Sequence, residues 1–403
     1  MKTISGGVCA AKGFTANGIH CGIRANRTKR DLALICSEVM ASAASVYTSN
    51  LVKGAPIAVT KANIADGKAQ AILCNSGNAN TCNADGIEVA EKMCQLLAQE
   101  MGLQASDVVV ASTGVIGQRL NVEPIAKGIP ELVKGLGDHS DLAAEAIMTT
   151  DTRMKEIAVS FEVDGVECKI GGIAKGSGMI HPNLATMLVF ITTDCAIAAP
   201  MLEKALKSDV QNTFNMVSVD GDTSTNDMVT VLANGMAGNA EITAEGPAFD
   251  AFMQALNTVT VYLCRCIAGD GEGATKLLEC NVTGAKTEAA AKTAAKAIIC
   301  SSLTKAAMFG ADANWGRILC AIGYSGADVD VDKVDVQFRS AKGDILVCKD
   351  GAGVDFSEEL AKEILLEHDI EILVELHDGE GAATAWGCDL TYDYVKINGD
   401  YRT

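Results

Sequence analysis

The stretch KGSGMIHPNLATMLVFITTD, Lys175 to Asp194, changes character in its middle. Its first half contains two glycines, a proline and an asparagine, which favour a loop. From Met187 onward the stretch is apolar and predicts a buried strand. Ala185 and Thr186 form the junction between these halves. A small residue and a hydroxyl therefore lie where a glycine-rich loop is expected to meet a strand.

Strand-like and helix-like runs alternate before this stretch. One run has apolar residues at helical spacing and ends at a glycine: GIEVAEKMCQLLAQEMG (86–102). The segments predicted to be strands are QAILCNSGNAN (70–80), DVVVASTGVIG (107–117) and the hairpin IAVSFEVDGVECKIGGIA (157–174), whose tight turn is Asp164-Gly165. The same alternation continues toward the C-terminus.

Helices are predicted after the stretch near residues 200–215, 247–267 and 287–308, and for SEELAKEILLEH (357–368), with Ser357 as N-cap. Strands are predicted for IEILVEL (370–376) and ATAWGCDLTYDYVKI (383–397). The pattern predicts an α/β or α+β protein and excludes a helical bundle and an all-β fold. A seam after the glycine-rich loop, at residues 280–286, is where we expect a C-terminal domain to begin.

Composition limits the classes of function. The chain has 403 residues, 48% of them hydrophobic, which is enough for a large core. Its formal net charge of −18 argues against nucleic-acid and anionic-membrane partners, because both require a basic patch. No apolar run has the length of a membrane span or of a signal-peptide core. These features predict a cytoplasmic protein that acts on small molecules.

The cysteines do not form a recognisable metal or disulfide pattern. The chain has 15 cysteines and five histidines, and no two cysteines have the Cys-x-x-Cys spacing. We therefore interpret most cysteines as small apolar core residues. DGDTSTND (220–227) resembles the start of a calcium loop, but Thr225 replaces the turn glycine and Val231 the bidentate glutamate. The sequence predicts neither a metal nor an organic cofactor.

Thr186 has two interpretations. Threonine is common in strands, so a structural role is the simpler one. Alternatively, Thr186 is a nucleophile that uses its own α-amine as base, which requires the chain to be cut before it. Its hydroxyl can make that cut by attacking the Ala185 carbonyl, because alanine leaves this carbonyl open. Water then opens the resulting ester.

Such chemistry needs donors for the oxyanion, and two other segments offer polar groups. Thr113 and Gly114 follow a predicted strand, where a glycine lets a backbone N–H approach closely; an ordinary turn explains them equally well. GDGEGATK (269–276) matches neither the P-loop nor the dinucleotide fingerprint. Its Glu272 is expected in a cleft or at a loop tip.

The chain as a whole resembles the ornithine acetyltransferase (glutamate N-acetyltransferase) family. The most specific segment is KGSGMIHPNLATML (175–188), which resembles the self-cleavage and active-site signature of that family. Leu184, Gly399 and His181 depart from the usual pattern without removing a reactive group. The other matching segments are AAKGFTANGIHCGI, KRDLALICSE, AILCNSGNANTCN, ASTGVIG, TTDT, SVDGDTSTND, GDGEGATK, DANWGRIL and NGDYRT.

The resemblance implies a role for particular residues. Thr186 would cut the chain after Ala185 and then accept the acetyl group. Thr113 and Gly114 would form the oxyanion hole. The residues implied to line the substrate site are Thr152, Lys175, Thr186, Glu272, Asn398 and Thr403.

The resemblance also implies an architecture and a pathway. It implies a layered αββα-like sandwich to which both cleavage fragments contribute, the first through residues 1–185 and the second through residues 186–280. A smaller α/β domain would follow at residues 281–403. Two copies of each fragment would assemble in the cytoplasm and act in arginine biosynthesis. The expected reaction moves acetyl from N2-acetyl-L-ornithine to L-glutamate. Three alternatives remain open: a form that also uses acetyl-CoA, a self-processing amidohydrolase, and a binding protein in which Thr186 is structural.

Overall fold

The computed structural model describes residues 1–25, 29–181 and 187–400. Within these ranges the strands are β1 (Lys2–Ile4), β2 (Phe14–Ile19), β3 (Leu32–Tyr47), β4 (Lys68–Asn78), β5 (Val108–Val115), β6 (Lys155–Val163), β7 (Val166–Lys175), β8 (Leu188–Thr193), β9 (Val217–Ser218), β10 (Met228–Ala233), β11 (Leu277–Ala285), β12 (Asp335–Ser340), β13 (Gly343–Lys349), β14 (Ala352–Gly353), β15 (Asp369–Glu375) and β16 (Gly381–Cys388). The helices are α1 (Ala55–Asn63), α2 (Gly86–Met101), α3 (Glu123–Lys134), α4 (Ser140–Ile147), α5 (Ala199–Asp209), α6 (Pro247–Gly269), α7 (Glu288–Cys300), α8 (Ser302–Phe309), α9 (Trp315–Tyr324), α10 (Glu358–Leu365) and α11 (Tyr392–Asp400).

The first sheet carries the residues on which the sequence prediction concentrates. Its strand order is β1-β6-β7-β8-β10-β3-β4-β5, and β2 pairs with β3. The parallel pairs are β8 with β10 and β4 with β5, whereas β6, β7 and β8 form an antiparallel run. Strand β8 therefore lies inside the sheet, between β7 and β10. This position explains why every one of its residues is buried.

Helices cover both faces of this sheet. Leu32 and Leu34 of β3 pack in a cluster with apolar residues of α1, α2 and α3. The alternate residues Ala33 and Ile35 point to the other face and pack with α4. This alternation is the two-residue period of a strand buried on both sides. The mixed α/β class predicted from the sequence is confirmed.

The second sheet is formed by strands from the C-terminal part of the chain, joined by one short earlier strand. Its order is β14-β13-β12-β15-β11-β16-β9. Strand β11 forms the longest pairings of this sheet, with β15 on one side and β16 on the other. Helix α6 packs on β6 and β7 of the first sheet and also contacts β16 of the second. The predicted boundary after residue 280 falls within β11, and the division into domains stays a prediction.

The predicted hairpin at residues 157–174 is confirmed. Strands β6 and β7 pair from Lys155–Ala174 to Val163–Val166. Asp164 and Gly165 form the turn with φ of 50° and 82°, as a two-residue turn of this type requires. Ser357 is also confirmed as an N-cap, because its hydroxyl accepts a hydrogen bond from the Leu360 N–H.

Two predicted elements are wrong. The helix expected over 287–308 is two helices, because Ser301 adopts an extended conformation and caps α8 through the Thr304 N–H. The strand expected over 383–397 ends at Cys388, opposite Leu277, where its partner β11 begins. With no neighbour to pair with, the following residues form helix α11.

Among the described residues, no helix is long and apolar enough to cross a membrane.

Candidate active site

The site begins at the C-terminal ends of the parallel strands β4 and β5. Gly114 has a φ of 131°, and a Cβ built on it would lie 2.4 Å from the Gly77 carbonyl carbon. Only glycine allows the two backbones to approach so closely with this φ. The register shifts at Gly77 and Asn78, which marks a bulge in β4. Thr113 and Gly114 are thereby turned toward a cleft at the edge of the sheet.

The cleft opens to solvent and has a volume of about 640 Å³ when its solvent-open part is included. It brings together five residues that the sequence analysis assigned to the site, namely Thr113, Gly114, Lys175, Glu272 and Asn398. These residues come from β5, from the end of β7, from the loop after α6 and from α11. The other lining residues are Ala79, Ile116, Thr149, Thr150, Gly178, Met179, Ser224, Thr225 and Asn226.

A buried ion network supports two of the loops that line the cleft. The Lys155 ammonium lies 2.7 Å from Asp151 and 2.5 Å from Asp270, and all three side chains are almost fully buried. Asp151 also accepts the Gly176 N–H at 2.7 Å. The network therefore ties the end of β7, beside Lys175, to the loop after α6.

The charges of this network fix the ionisation of Asp151. Burial alone would raise the pKa of this carboxyl. The ammonium groups of Lys155 and Lys175, together with the Gly176 N–H, nevertheless hold the pKa well below its usual range. Asp151 is thus a carboxylate that anchors cations next to the cleft rather than a proton carrier.

Glu272 lies against Gly178 at the other wall of the cleft. A Cβ on Gly178 would meet the Glu272 carboxylate at 2.3 Å, so a larger residue there would displace Glu272. The Glu272 N–H donates to the Ser177 carbonyl at 3.0 Å, and the Ser177 hydroxyl donates to the Asp270 carbonyl at 2.6 Å. Asn398 donates to the Glu272 carboxylate at 2.8 Å. Glu272 is 9% exposed, so its charge faces the cleft with little water around it.

Asp220 holds the loop that precedes the predicted cleavage bond. Its carboxylate accepts the Met179 N–H at 2.7 Å and the Ile180 N–H at 2.8 Å. It also accepts the Tyr394 hydroxyl at 3.3 Å, so the same residue contacts α11. Burial and the Asp220 charge raise the pKa of Tyr394. Tyr394 therefore remains a neutral hydrogen-bond donor.

The sequence analysis missed Asn226 and its neighbours. The Asn226 amide donates to the Ala79 carbonyl at 2.6 Å and to the Ser112 carbonyl at 2.9 Å, which joins the ends of β4 and β5. The hydroxyls of Thr81 and Thr225 both donate to its oxygen at 2.6 Å. The sequence analysis compared DGDTSTND with a calcium loop and matched it to the family, but it assigned none of these residues to the site, although a run of small polar residues also indicates a binding loop.

Some predicted residues are not brought into the cleft. Thr152 is exposed and does not line it; its hydroxyl and its N–H both donate to Asp270. Its neighbours Thr149 and Thr150 line the cleft instead. Ala185, Thr186 and Thr403 lie outside the described residues. Their roles, like that of Thr152, stay predictions.

A smaller cavity adjoins the cleft. Thr113, Lys175 and Gly178 border both spaces, and Met187 and Asp227 border only the smaller one. No group of His, Cys, Asp and Glu side chains in the described ranges is arranged to hold a metal ion. The polar side chains that border these two spaces carry hydroxyl, amide, carboxylate and ammonium groups.

Comparisons with known proteins place these residues in a family context. Residues 15–403 match the model of the ArgJ family. The chain is 53% identical over 405 residues to the arginine biosynthesis bifunctional protein ArgJ of Caldanaerobacter subterraneus subsp. tengcongensis, with all of both chains covered. It is 49% identical over 406 residues to the protein of the same name from Symbiobacterium thermophilum, again with both chains fully covered.

Two solved structures are also similar. The arginine biosynthesis bifunctional protein ArgJ from Bacillus halodurans aligns with 53% of this chain and 98% of its own, with 49% identity and a TM-score of 0.50. The ornithine acetyltransferase from Mycobacterium tuberculosis, solved with ornithine, aligns with 46% of this chain and 99% of its own, with 35% identity and a TM-score of 0.43.

Proposed function

The chain belongs to the ArgJ family, and we propose that it transfers acetyl from N2-acetyl-L-ornithine to L-glutamate in arginine biosynthesis. The observation that carries the proposal is one cleft that holds Lys175, Glu272, Thr113 and Gly114 together. N-acetylornithine presents a carboxylate, an ammonium and an amide carbonyl. Lys175 can pair with the carboxylate and Glu272 with the ammonium. Thr113 and Gly114 of β5 can donate hydrogen bonds to the carbonyl oxygen.

Burial gives these charge matches their selectivity. Lys175 is 8% exposed and Glu272 is 9% exposed. An acetyl donor lacking either charge would leave one of these side chains desolvated and unpaired, which is costly. Glutamate shares the amino-acid skeleton of ornithine, so one site can hold both in turn.

The acetyl carrier in this proposal is Thr186. Its hydroxyl attacks the acetyl carbonyl, ornithine leaves, and glutamate then takes the acetyl group from the threonine ester. This is a ping-pong sequence with an acetyl-Thr186 intermediate. It needs an oxyanion hole and acid–base help, which Thr113, Gly114 and the α-amine of Thr186 would supply, and no cofactor.

Self-cleavage between Ala185 and Thr186 would create that α-amine. The Bacillus halodurans chain aligns over 98% of its own length with only 53% of this chain. This share supports the proposal, because residues 186–403 amount to slightly more than half of the sequence. The fragments would remain associated, since β7 and β8 pair across the predicted cut. Two copies of each fragment would form the active assembly in the cytoplasm.

A second activity has a specific observation in its favour. The curated relatives carry the word bifunctional in their names. An enzyme that also acetylates glutamate from acetyl-CoA would justify such a name. Both reactions would pass through the same acetyl-Thr186 ester. Product analysis with acetyl-CoA and glutamate, in the absence of N-acetylornithine, decides between the two forms.

The test of the main proposal uses the purified chain and its Thr186→Ala variant. We expect two bands on a denaturing gel for the wild type, and N-acetylglutamate from N-acetylornithine and glutamate. Thr186→Ala should give one full-length, inactive chain, whereas Thr193→Ala, in the same strand region, should still be cut. Acetate as the main product would instead identify an amidohydrolase, and an uncut wild-type chain would contradict the proposal.

A further inference from the structure

Two buried cysteines lie opposite each other on the paired segments β7 and β8. The antiparallel pairing of these strands continues one residue beyond β8, where the Asp194 N–H donates to the Lys169 carbonyl at 3.2 Å. The next residues along the two segments, opposite each other, are Cys168 and Cys195. The spacing in the sequence does not reveal this pair, because only the register of the strands brings it together.

The surrounding contacts hold the two thiols close to each other. The Asn239 side-chain oxygen accepts the Cys168 thiol at 3.6 Å and the Ala196 N–H at 2.8 Å, so it contacts Cys168 and the residue that follows Cys195. The neighbouring Cys168 thiol, together with burial, raises the pKa of Cys195. Opposite residues of antiparallel strands have Cα atoms about 4.5–5.5 Å apart, which lies within the span of about 4.4–6.8 Å that a disulfide bridges.

The pair lies at the end of β7 that is remote from the cleft. Cys168 comes shortly after the hairpin turn and next to the exposed residue Glu167, whereas Lys175 at the other end of the strand borders the cleft. Cys168 and Lys175 are about 24 Å apart along the strand. Both thiols are 0% exposed and unlinked in this structure. Local opening is easiest at the end of an element, so a small oxidant can reach them there, although slowly.

The two cysteines belong to different fragments of the proposed self-cleavage. Cys168 is part of residues 1–185, and Cys195 is part of residues 186–403. After the cut, contacts such as the pairing of β7 with β8 hold the fragments together without a covalent bond. A bond between these two sulfur atoms would replace the lost connection at a place where the strands already meet.

We propose that Cys168 and Cys195 form a disulfide when an oxidant is present and thereby join the two cleavage fragments covalently. The joining of fragments rests on the proposed function, whereas the bond itself does not. The oxidant is a small peroxide: hydrogen peroxide converts one thiol to a sulfenic acid and releases water. The second thiol then attacks this sulfur, and a second water leaves as the disulfide forms. In a compartment that keeps thiols reduced, both cysteines remain thiols.

The bond would act on the association of the fragments and not on the chemistry of the cleft. A fragment that leaves the cut enzyme must find its partner again by diffusion, whereas a linked fragment stays at a high effective concentration. The oxidised enzyme should therefore unfold at a higher urea concentration than the reduced enzyme. Its rate of acetyl transfer should stay within about twofold, because the bond lies one strand length from the cleft.

The experiment treats the purified, folded protein with hydrogen peroxide and then denatures it in N-ethylmaleimide, which blocks the remaining thiols. Denaturing gels with and without dithiothreitol report the link, and peptide mapping by mass spectrometry identifies the bonded cysteines. The protein is kept dilute to limit links between molecules through the exposed Cys82 and Cys320. The variants are Cys168→Ala and Cys195→Ala.

The matched controls are Cys36→Ala and Cys280→Ala, one buried thiol from each fragment. We expect the oxidised wild type and both controls to run mainly as one band near the mass of the whole chain, and as two fragments after reduction. Cys168→Ala and Cys195→Ala should give two fragments under both conditions. The peptide map of the wild type should contain the Cys168–Cys195 bond, a measurement that does not depend on how any variant folds.

Three outcomes would overturn the inference while leaving the proposed function intact. These are two separate fragments after oxidation of the wild type, a link that persists in Cys168→Ala, and a peptide map that shows a different pair of cysteines. A wild-type chain that gives one band even after reduction is uncut and would defeat the proposed self-cleavage. The peptide map would still decide whether the bond forms.

Discussion

The Asn398 amide donates a hydrogen bond of 2.8 Å to the Glu272 carboxylate, which joins α11 to the loop after α6. None of the residues of α11 is buried, so the helix is held by a few polar contacts and by the edge-to-face contact of Tyr392 with Phe309 rather than by a core. Gly273 permits this arrangement, because a Cβ there would lie 2.6 Å from the Tyr394 nitrogen. The orientation of Glu272 in the cleft therefore depends on a helix near the end of the chain.

Asn398→Ala should weaken substrate binding more than it slows the chemical step. The Glu272 carboxylate would lose a hydrogen bond to a neutral donor, a loss of about 0.5–1.5 kcal/mol, or up to about tenfold in kcat/KM. Self-cleavage should remain complete. Lys396→Ala, an exposed residue on the same helix, is the control and should leave kinetics unchanged. Equal kinetics for both variants would show that Asn398 does not orient Glu272 during turnover.

Thr113→Ala tests the oxyanion hole. Loss of one donor at such a site lowers turnover by about a hundred- to a thousandfold. Thr113→Ser keeps the hydroxyl and should retain most of the rate, whereas alanine should also slow self-cleavage, since both reactions form an oxyanion on a carbonyl attacked by Thr186. Steady-state kinetics and gel analysis give both rates. Normal turnover in the alanine variant would place the hole elsewhere.

Lys155→Met tests the buried ion network. Methionine fills the space but removes the ammonium that Asp151 and Asp270 share, which should lower the free energy of unfolding by about 3–5 kcal/mol. Lys207→Met is the matched control, because Lys207 forms an exposed pair with Glu203 that contributes less than about 1 kcal/mol. Urea denaturation measures both. Equal stability of the two variants would mean that the network does not stabilise the fold.

The depressed pKa of Asp151 predicts how stability depends on pH. A carboxyl with a lower pKa in the folded state contributes stability that is fully present above its unfolded pKa of about 3.9. This contribution is lost as the pH falls below that value toward the folded pKa. Asp151→Asn should therefore be less stable than wild type at pH 7, and the difference should shrink at pH 3. A difference that is independent of pH would exclude this linkage.

Local patterns predicted the single elements well and failed where a neighbouring element decides the outcome. Asp164-Gly165 and Ser357 are signals within a few residues, and both are confirmed. The segment after Cys388 has the composition of a strand, but β11 begins opposite Cys388 and offers no residue beyond it for pairing, and the chain becomes helical. No local pattern contains the position of a partner strand.

The same distinction applies to the site. Thr113, Gly114, Lys175, Glu272 and Asn398 were indicated by family motifs, and the fold brings them to one cleft. The ion network of Lys155 and the contacts of Asn226 join segments more than 100 residues apart. These residues look like ordinary polar strand and loop residues until the pairing of the strands is known.

Glu272→Gln tests the substrate assignment directly. Glutamine keeps the size of the side chain and an oxygen for Asn398 but removes the charge. The variant should still be cut between Ala185 and Thr186, because self-cleavage involves no substrate. Acetyl transfer from N-acetylornithine should nevertheless fall steeply, since a fully desolvated ammonium would lose its partner at about 3–5 kcal/mol, and less if water reaches it.

Kinetics with both substrates, beside the exposed control Glu241→Gln, separate the possible roles of Glu272. The control should be cut and fully active. An uncut Glu272→Gln chain would make Glu272 a structural residue of the cleavage loop, through its contact with Gly178. A cut chain with unchanged kcat/KM would mean that the ammonium of N-acetylornithine binds elsewhere in the cleft. If kcat/KM of Glu272→Gln falls more for N-acetylornithine than for glutamate, Glu272 pairs with the side-chain ammonium. Of the two substrates, only N-acetylornithine carries that group.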